Sequence, residues 1–282
     1  MSTDTQQQKS SNILLIGDGC IDHYIFGKCE RLSAEAPVPI LKKMREESRP
    51  GMSFNVKENL HHLSENFNII HVTNEKIIKK IRIVDDRSYK INHHLLRIDE
   101  EADIDVLSFV QFYTAAGSDD MIKSLDAVII SDYDKGFLAY DNIFKILDNI
   151  KARRPNIKIF VDSKKKDLSC YACNDVIFKL NELEFNSVAK FPARGAYERP
   201  YECIVTMGES GAMFKGKIYP VDDTKVIDVC GAGDTFLAAL VTRYVETQSL
   251  EESIKFANLC ASESVSHFGT WVVSRDEVKN EN

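Results

Sequence analysis

The stretch VIDVCGAGDTF, residues 226–236, places a carboxylate directly after a glycine-rich turn. Gly231, Ala232 and Gly233 let the backbone turn closely between a predicted Val-Ile-Asp-Val strand and a predicted helix that starts near Asp234. Such a turn points backbone N–H groups at one place, where a helix N-terminus stabilises an anion. The carboxylate of Asp234 could then accept the proton of an attacking hydroxyl group. The structural alternative is a strand, a tight turn and an Asp that caps the next helix.

Further polar residues follow predicted strands, a position that favours a ligand site in a parallel sheet. In VDSK, Asp162 could hold metal-bound water and Lys164 could meet a phosphate, although the lysine run also fits a solvated turn. In NELE, Asn181 and Glu184 alone would be a helix cap with its acidic partner. Asp22, in GDGCID, alone would be a loop acid that caps a turn.

A second glycine-containing turn and one helical asparagine are weaker candidates. Thr206, Gly208 and Gly211 in TMGESG form a predicted strand–turn–strand, which alone is a plain hairpin. Asn258 lies on a predicted amphipathic helix, where a surface Asn is common.

Several apparent motifs do not predict a site. GDG lacks the third glycine of a dinucleotide fingerprint, so NAD binding is not expected. The pairs His61–His62 and His93–His94 lack i, i+4 spacing and an acidic partner, so metal ligation by them is not expected. Cys170 and Cys173 have CxxC spacing without a second pair, which favours a structural role.

Composition limits the class of protein. The 282 residues are 44% hydrophobic and carry a net charge of −7 with both signs interspersed, so neither nucleic acid nor an anionic membrane is an expected partner. Residues 1–11 are polar and Gln-rich, unlike a signal peptide, and no stretch approaches a membrane-spanning length. Seven scattered cysteines suit reduced thiols. A cytosolic protein is expected.

The elements that must position these residues alternate between strand and helix. A helix is predicted over Tyr140–Arg153, and short apolar runs predict buried strands at 13–16, 127–130, 157–161, 176–178 and 203–205. This order predicts an α/β fold, a mostly parallel sheet with helices on both faces. Residues 38–44 and 79–98 read as extended segments that are too polar for that sheet, so they predict a small accessory sheet.

The chain resembles the ribokinase-like (PfkB) carbohydrate kinases, and within them the heptose-phosphate kinase branch. The wider family shares VIDVCGAGDTF and TMGESG, whereas RLSAEAPVP and SDYDKG resemble the heptose branch. The resemblance extends over residues 13–274, through ILLIGDGCIDHYIFG, RPGMSFNV, VDSKKKD, NELE, FANLCAS and FGTWVVS. It implies one ribokinase-like domain at 12–280, with a β lid from about 24–48 and 77–98 and a disordered tail at 1–11.

The resemblance also implies roles for individual residues. Asp234 becomes the catalytic base, and the turn Gly231, Ala232 and Gly233 becomes the anion hole. Sugar contacts are implied for Asp22, Arg49, Gly51, Asn55, Asp132 and Lys135. Nucleotide contacts are implied for Lys164, Asn181, Thr206, Gly208, Gly211 and Asn258. Asp162 and Glu184 are expected to hold Mg²⁺.

The sequence departs from the family pattern in three places. Met52 replaces the second glycine of a Gly-Gly pair and Phe54 replaces a small residue, which predicts a narrowed sugar pocket or a stiffened hinge. The segments at 63–81 and 185–203 are shorter than in the family, which predicts a reduced sheet.

The expected function follows from the resemblance. It is ATP- and Mg²⁺-dependent phosphorylation of a sugar phosphate, D-glycero-D-manno-heptose 7-phosphate at its anomeric hydroxyl, by a homodimer joined through the lid. Two alternatives stay open: a kinase for a different sugar, and a non-catalytic dimerisation or sensing module. No HxGH-type nucleotidyltransferase motif occurs in these residues.

Overall fold

The computed structural model describes residues 10–88, 91–116, 118–192 and 201–278. The predicted tail at 1–11 and the FPARGAYERP segment at 191–200 lie largely outside these residues. Within the described ranges, no helix is long and apolar enough to cross a membrane. Cys170 and Cys173 form no disulfide with each other.

The described part of the chain forms twelve strands and seven α-helices. The strands are β1 (Ser11–Gly17), β2 (Gly19–Leu32), β3 (Pro39–Met52), β4 (Phe67–Thr73), β5 (Ile78–Ser88), β6 (Ile91–Glu100), β7 (Leu125–Asp132), β8 (Ile159–Ser163), β9 (Val176–Asn181), β10 (Glu202–Thr206), β11 (Ala212–Phe214) and β12 (Lys217–Tyr219). The helices are α1 (Ser53–Leu63), α2 (Phe109–Ala116), α3 (Asp119–Ser124), α4 (Tyr140–Arg153), α5 (Glu182–Ser187), α6 (Ala232–Thr247) and α7 (Leu250–Val265).

Eight strands form the main sheet, in the order β12-β11-β10-β9-β8-β7-β1-β4. All pairings from β4 to β10 are parallel, and β11 and β12 add an antiparallel edge. Each predicted buried run lies within one of these strands, apart from two residues that precede β8. The predicted α/β fold with a mostly parallel sheet is confirmed.

Each face of the main sheet is covered by helices. In β1, Ile13 and Leu15 pack into the core beneath α1, α6 and α7, whereas Leu14 and Ile16 pack into the core beneath α2, α3 and α4. All four side chains are fully buried. Burial on both faces explains why the central strands are continuous apolar runs.

The polar extended segments form a second, four-stranded sheet in the order β3-β2-β5-β6. We call it the small sheet. Its strands extend beyond the predicted limits. Only Asp18 separates β1 from β2, and β3 leads directly into α1. The small sheet therefore starts at the edge of the main sheet without a linker.

The predicted strand at 226–229 is wrong. This segment pairs with no strand of the described chain, and the N–H groups of Ile227 and Asp228 donate to the carbonyl of Val265 at the end of α7, at 2.7 and 3.2 Å. Val226 and Val229 are 45% and 69% exposed. Their β-branched side chains predicted a strand, but here they line a cleft instead.

Candidate active site

Polar side chains meet at the edge of the main sheet where the parallel strands end. Asp18 follows β1, Asp132 ends β7, Asp162 lies near the end of β8, Asn181 ends β9 and Thr206 ends β10. The carboxyl ends of parallel strands form the ligand-binding edge of open α/β sheets. This edge is therefore the candidate position for an active site.

The N-terminus of α6 lies at this edge. Gly231 precedes the helix with φ 82°, a left-handed conformation that favours glycine. A Cβ atom at this position would lie 2.7 Å from Asn55 Nδ2, and one on Gly233 would lie 2.8 Å from Lys179 Nζ. The two glycines thus let an amide and an ammonium group approach the first helical turn, whose N–H groups lack acceptors within the helix.

Asp234 lies in that first turn, two residues after the helix begins at Ala232. Its side chain is buried, and Oδ1 accepts a hydrogen bond from the Tyr133 hydroxyl at 2.6 Å while Oδ2 accepts one from Asn55 Nδ2 at 3.3 Å. Burial raises the pKa of Asp234 to about 6, although the hydroxyl and amide donors lower it in part. At neutral pH the carboxylate is ionised and able to accept a proton.

Asn55 is held in place by a second asparagine. Asn59 donates to Asn55 Oδ1 at 3.0 Å, which leaves Asn55 Nδ2 facing Asp234. Asn59 in turn accepts from the N–H of Val273 at 3.0 Å. The predicted sugar contact by Asn55 stays a prediction, and the structure places its amide against the candidate base.

Two lysines and two carboxylates form a cluster beside α6. The ammonium of Lys179, buried at 2% exposure, lies 2.7 Å from Asp162 Oδ2. Lys164 lies 3.3 Å from Asp162 Oδ1 and also contacts Glu184. These positive charges hold the pKa of Asp162 below its usual value despite its burial. The cluster brings two ammonium groups close to the N-terminus of α6.

The NELE segment forms a reciprocal helix cap at the start of α5. Glu184 N donates to Asn181 Oδ1 at 2.8 Å, and Asn181 N donates to Glu184 Oε2 at 2.9 Å. With the two lysines present, every carboxylate oxygen of Asp162 and Glu184 accepts from a protein donor. Their oxygen donors are of the type that Mg²⁺ prefers. Their predicted role in holding Mg²⁺ stays a prediction.

The small sheet brings a buried ion pair towards the site. Asp22 on β2 accepts from Arg82 on β5, and both side chains are largely buried. A Cβ on Gly51 would lie 2.5 Å from Asp22 Oδ2, so this position has no room for a side chain. Arg49 donates to the carbonyl of Phe268 at 2.5 Å, which joins β3 to the segment after α7.

Two predicted sugar contacts are engaged by protein partners. Asp132 is fully buried, accepts from the Tyr171 hydroxyl, and lies 2.9 Å from Lys165 Nζ. The Lys135 ammonium pairs with Glu101. The predicted sugar contacts of Asp132 and Lys135 stay predictions.

A cleft of about 440 Å³ opens beside the N-terminus of α6. Four residues predicted to contact nucleotide line it: Thr206, Gly208, Gly211 and Asn258. The turn residues Ala232 and Gly233 line it as well, together with apolar side chains that include Val226, Val229, Phe236 and Val265. Volume and lining fit a small-molecule site.

Comparison with known proteins relates the chain to one family. Residues 139–276 match the profile of the pfkB family carbohydrate kinases. The bifunctional protein HldE of a Nitratiruptor species is 32% identical to this chain over 302 residues, which cover 95% of the chain and 64% of that protein. HldE of Campylobacter jejuni subsp. doylei is 31% identical over 98% of the chain and 65% of that protein. The family model therefore assigns residues 139–276, just under half of the chain, to the pfkB carbohydrate kinases.

Solved structures agree on the fold of this pfkB domain. Phosphofructokinase-2 from Escherichia coli, in complex with potassium, superposes with a TM-score of 0.70 at 16% identity, covering 96% of this chain and 97% of that one. Arabidopsis thaliana ribokinase, complexed with ribose and ATP, gives a TM-score of 0.62 at 14% identity over 95% and 97%. These likenesses confirm the ribokinase-like fold. The chain spans less than two thirds of the HldE proteins that it matches.

Sequence reasoning missed three residues of the candidate site. Tyr133 lies inside SDYDKG, directly after β7, and nothing in its local pattern indicates a contact with Asp234. Lys179 interrupts the apolar strand VIFKLN, which is a usable signal because a lysine is rarely buried without a partner. Arg82 lies in a strand rich in charge, where no single cation stands out.

The two bulky departures from the pfkB pattern lie at the start of α1. Met52 has φ 55° and ψ −132°, a conformation that strongly favours glycine, and its side chain is buried against Cys20 and Ile78. Phe54 packs edge-on against His71, with ring centroids 5.5 Å apart. The methionine therefore occupies a backbone position shaped for the glycine that it replaces.

Proposed function

We propose that this chain transfers the γ-phosphoryl group of ATP to a hydroxyl of a sugar phosphate. The observation that carries the proposal is the position of Asp234. Its carboxylate is buried, and it directly follows Ala232 and Gly233, which line the cleft. The family supports the reaction class, because pfkB proteins are carbohydrate kinases.

Asp234 acts as the general base in this proposal. Its pKa of about 6 keeps it ionised at neutral pH, yet near enough to neutrality to take up a proton as the acceptor oxygen attacks. Tyr133 and Asn55 fix the two carboxylate oxygens in place. A positioned base of this kind contributes on the order of 10²–10⁴-fold in rate.

The first turn of α6 stabilises the phosphoryl group in transit. Its N–H groups face the same space as the ammonium of Lys179, which lies beside Gly233. Lys164 adds a second positive charge from the neighbouring cluster. Preorganised donors aimed at developing charge are typically the largest single contribution to such catalysis. Mg²⁺ would add further neutralisation of ATP phosphates, with ligands that include the nucleotide itself.

The nucleotide occupies the 440 Å³ cleft in this proposal. Its apolar lining suits an adenine ring, and the turn from Gly208 to Gly211 brings backbone close to the phosphates. Asn258 is held by the carbonyl of Tyr219, to which it donates at 2.7 Å. Because ATP is the proposed donor, the cytoplasm is the compartment that the proposal implies.

In this proposal the sugar phosphate binds on the side of Asp234 away from the nucleotide cleft. The small sheet covers it as a lid. Two ammonium groups, Lys80 from β5 and Lys164, lie 5.2 and 5.3 Å from the ring centroid of Tyr133, whose hydroxyl contacts the base. Positive charge on the lid side suits an acceptor that already carries a phosphate. The RLSAEAPVP and SDYDKG motifs favour D-glycero-D-manno-heptose 7-phosphate, phosphorylated at the anomeric hydroxyl.

The test is ADP release from Mg²⁺–ATP over a panel of heptose, hexose and pentose phosphates, with the Asp234→Asn variant as the matched control. We expect turnover of heptose 7-phosphate by the native chain, a loss of about 10²–10⁴-fold in the variant, and retained ATP binding in both. Equal rates for the two proteins would refute the role of Asp234. Turnover of another sugar would identify a different acceptor. No ADP release with any sugar, together with no ATP binding by calorimetry, would favour the non-catalytic module.

We also propose that the chain forms a homodimer through the small sheet. Apolar side chains on its strands face solvent, with Leu32 63%, Met44 59% and Leu96 59% exposed. An exposed sheet with apolar side chains gains stability when a second copy covers it.

A further inference from the structure

Three metal-binding side chains meet where the small sheet approaches the catalytic loop. His94 lies on β6, and Asp228 and Cys230 lie in the loop that leads into α6. The nearest nitrogen of the histidine, Nε2, is 3.3 Å from Asp228 Oδ2, and all three ligand atoms lie within 4.8 Å of one another. Sequence spacing could not reveal this group, because His94 is more than 130 residues from the other two.

The group is held in place by contacts that leave its ligand atoms facing each other. The His94 ring packs against Phe268, with ring centroids 5.4 Å apart. Asp228 accepts from the N–H of Cys230 on Oδ1 and from the N–H of Gly269 on Oδ2, each at 3.0 Å. Backbone donors that fix a carboxylate in this way are typical of the groups that orient metal ligands.

The group is accessible from solvent through a cavity of about 370 Å³. Two guanidinium groups also line this cavity, and each has its own carboxylate: Arg82 pairs with Asp22, and Arg97 pairs with Asp99 at 2.7 Å. A cation can therefore reach Asp228 without displacing an arginine from its partner.

The donor set is an imidazole nitrogen, a carboxylate oxygen and a sulfur, which matches Zn²⁺. Tetrahedral Zn²⁺ with such ligands places its donor atoms about 3.4–3.6 Å apart, so the present spacing closes with side-chain shifts of about 1 Å. Burial and the charge of Asp228 raise the pKa of the Cys230 thiol to about 12. Binding breaks the S–H bond, forms a Zn–S bond and releases one proton to solvent.

We propose that His94, Asp228 and Cys230 form a Zn²⁺ site that clamps β6 of the small sheet to the loop before α6. A water molecule completes the coordination on the solvent side. Cys230 directly precedes Gly231, so the clamp joins the small sheet to the residue that opens the α6 N-terminus. This site is independent of the proposed kinase reaction, and metal binding alone tests it.

The test is Zn²⁺ binding by the purified, metal-stripped chain, measured by competition with a chromophoric chelator. We expect one ion per chain, with affinity reduced in His94→Ala and in Cys230→Ser by more than the 10- to 100-fold that loss of a supporting contact costs. Two variants outside the site serve as controls. His93→Ala removes the adjacent histidine of β6, and Cys173→Ser removes a thiol of the CxxC pair, and both should bind Zn²⁺ as the native chain does.

Two spectroscopic readouts separate the clamp from a general effect on folding. Co²⁺ in place of Zn²⁺ should give a thiolate charge-transfer band that is absent in Cys230→Ser. Zn²⁺ should slow hydrogen exchange of the β6 amides in the native chain and the two controls, and leave it unchanged in His94→Ala and Cys230→Ser. Thermal unfolding verifies that each variant is folded. The proposal is overturned if the native chain binds no Zn²⁺, if both site variants bind it normally, or if Cys173→Ser is the variant that loses it.

Discussion

Met52 provides a direct test of backbone strain at the junction of β3 and α1. Its φ of 55° and ψ of −132° lie in a region that glycine adopts freely and that costs other residues about 1–3 kcal/mol. The same side chain is 2% exposed and packs against Cys20 and Ile78. Truncating a buried methionine to alanine costs about 2–5 kcal/mol. Strain and packing therefore act in opposite directions at one residue.

Comparing Met52→Gly with Met52→Ala separates the two effects. Both variants lose the packing, so both should be less stable than the native chain, but only the glycine variant also loses the strain. At an unstrained position alanine is more stable than glycine by about 0.4–1 kcal/mol, because glycine has more freedom in the unfolded chain. Here relief of about 1–3 kcal/mol exceeds that difference. The glycine variant should be the more stable of the two by about 1 kcal/mol.

Urea unfolding measures this difference. The only tryptophan, Trp271, stacks on His267 with ring centroids 4.0 Å apart, so its fluorescence reports loss of tertiary structure, and circular dichroism gives a second probe. The midpoints should differ at an unchanged slope, which shows that stability alone has changed. An alanine variant equal to or more stable than the glycine variant would refute strain at Met52.

Four further outcomes are expected. The rate should fall tenfold per pH unit below about pH 6, because Asp234 must lose its proton to act and burial raises its pKa to about 6. In Tyr133→Phe the acidic limb of the pH–rate profile should move to higher pH, because the Tyr133 hydroxyl lowers the pKa of Asp234 in the native chain. An unmoved limb would contradict the hydrogen bond from Tyr133 to Asp234. Lys179→Met should lower the free energy of unfolding by about 3–5 kcal/mol, measured in urea, because Asp162 is left buried without its closest partner. Light scattering should give a dimer, and Leu96→Lys should shift it to monomer; a 32 kDa species alone in the native chain would exclude the dimer.

The sequence predicts the main sheet well, because strands that are buried on both faces appear in the sequence as continuous apolar runs. The runs at 13–16 and 127–130 are wholly apolar, and the helix Tyr140–Arg153 is predicted with its observed bounds, since its apolar positions recur at helical spacing. The segment at 226–229 failed for a physical reason. Its β-branched residues line a cleft, and sequence alone does not distinguish a cleft wall from a buried strand.

The candidate site was predictable in its parts and less so in its contacts. Asp234 and its glycines are local, so a motif reveals them. The contact from Tyr133 joins residues 101 positions apart, and the pair of Asp22 with Arg82 joins strands of one sheet across 60 positions. Contacts at such separation depend on how the two sheets are placed. The predicted role of Glu184 was ambiguous for another reason, because its two oxygens serve a helix cap and a lysine at once.

The direct passage from β1 into β2, and from β3 into α1, has a mechanical consequence. Each of β2 and β3 has 14 residues, so the hairpin that they form extends about 46 Å from its base at the main sheet. A stiff arm of that length is a lever, and a rotation of about 5° at its base displaces its far end by about 4 Å. A sub-ångström adjustment beside Met52 is therefore magnified several-fold at the distant tip of the hairpin.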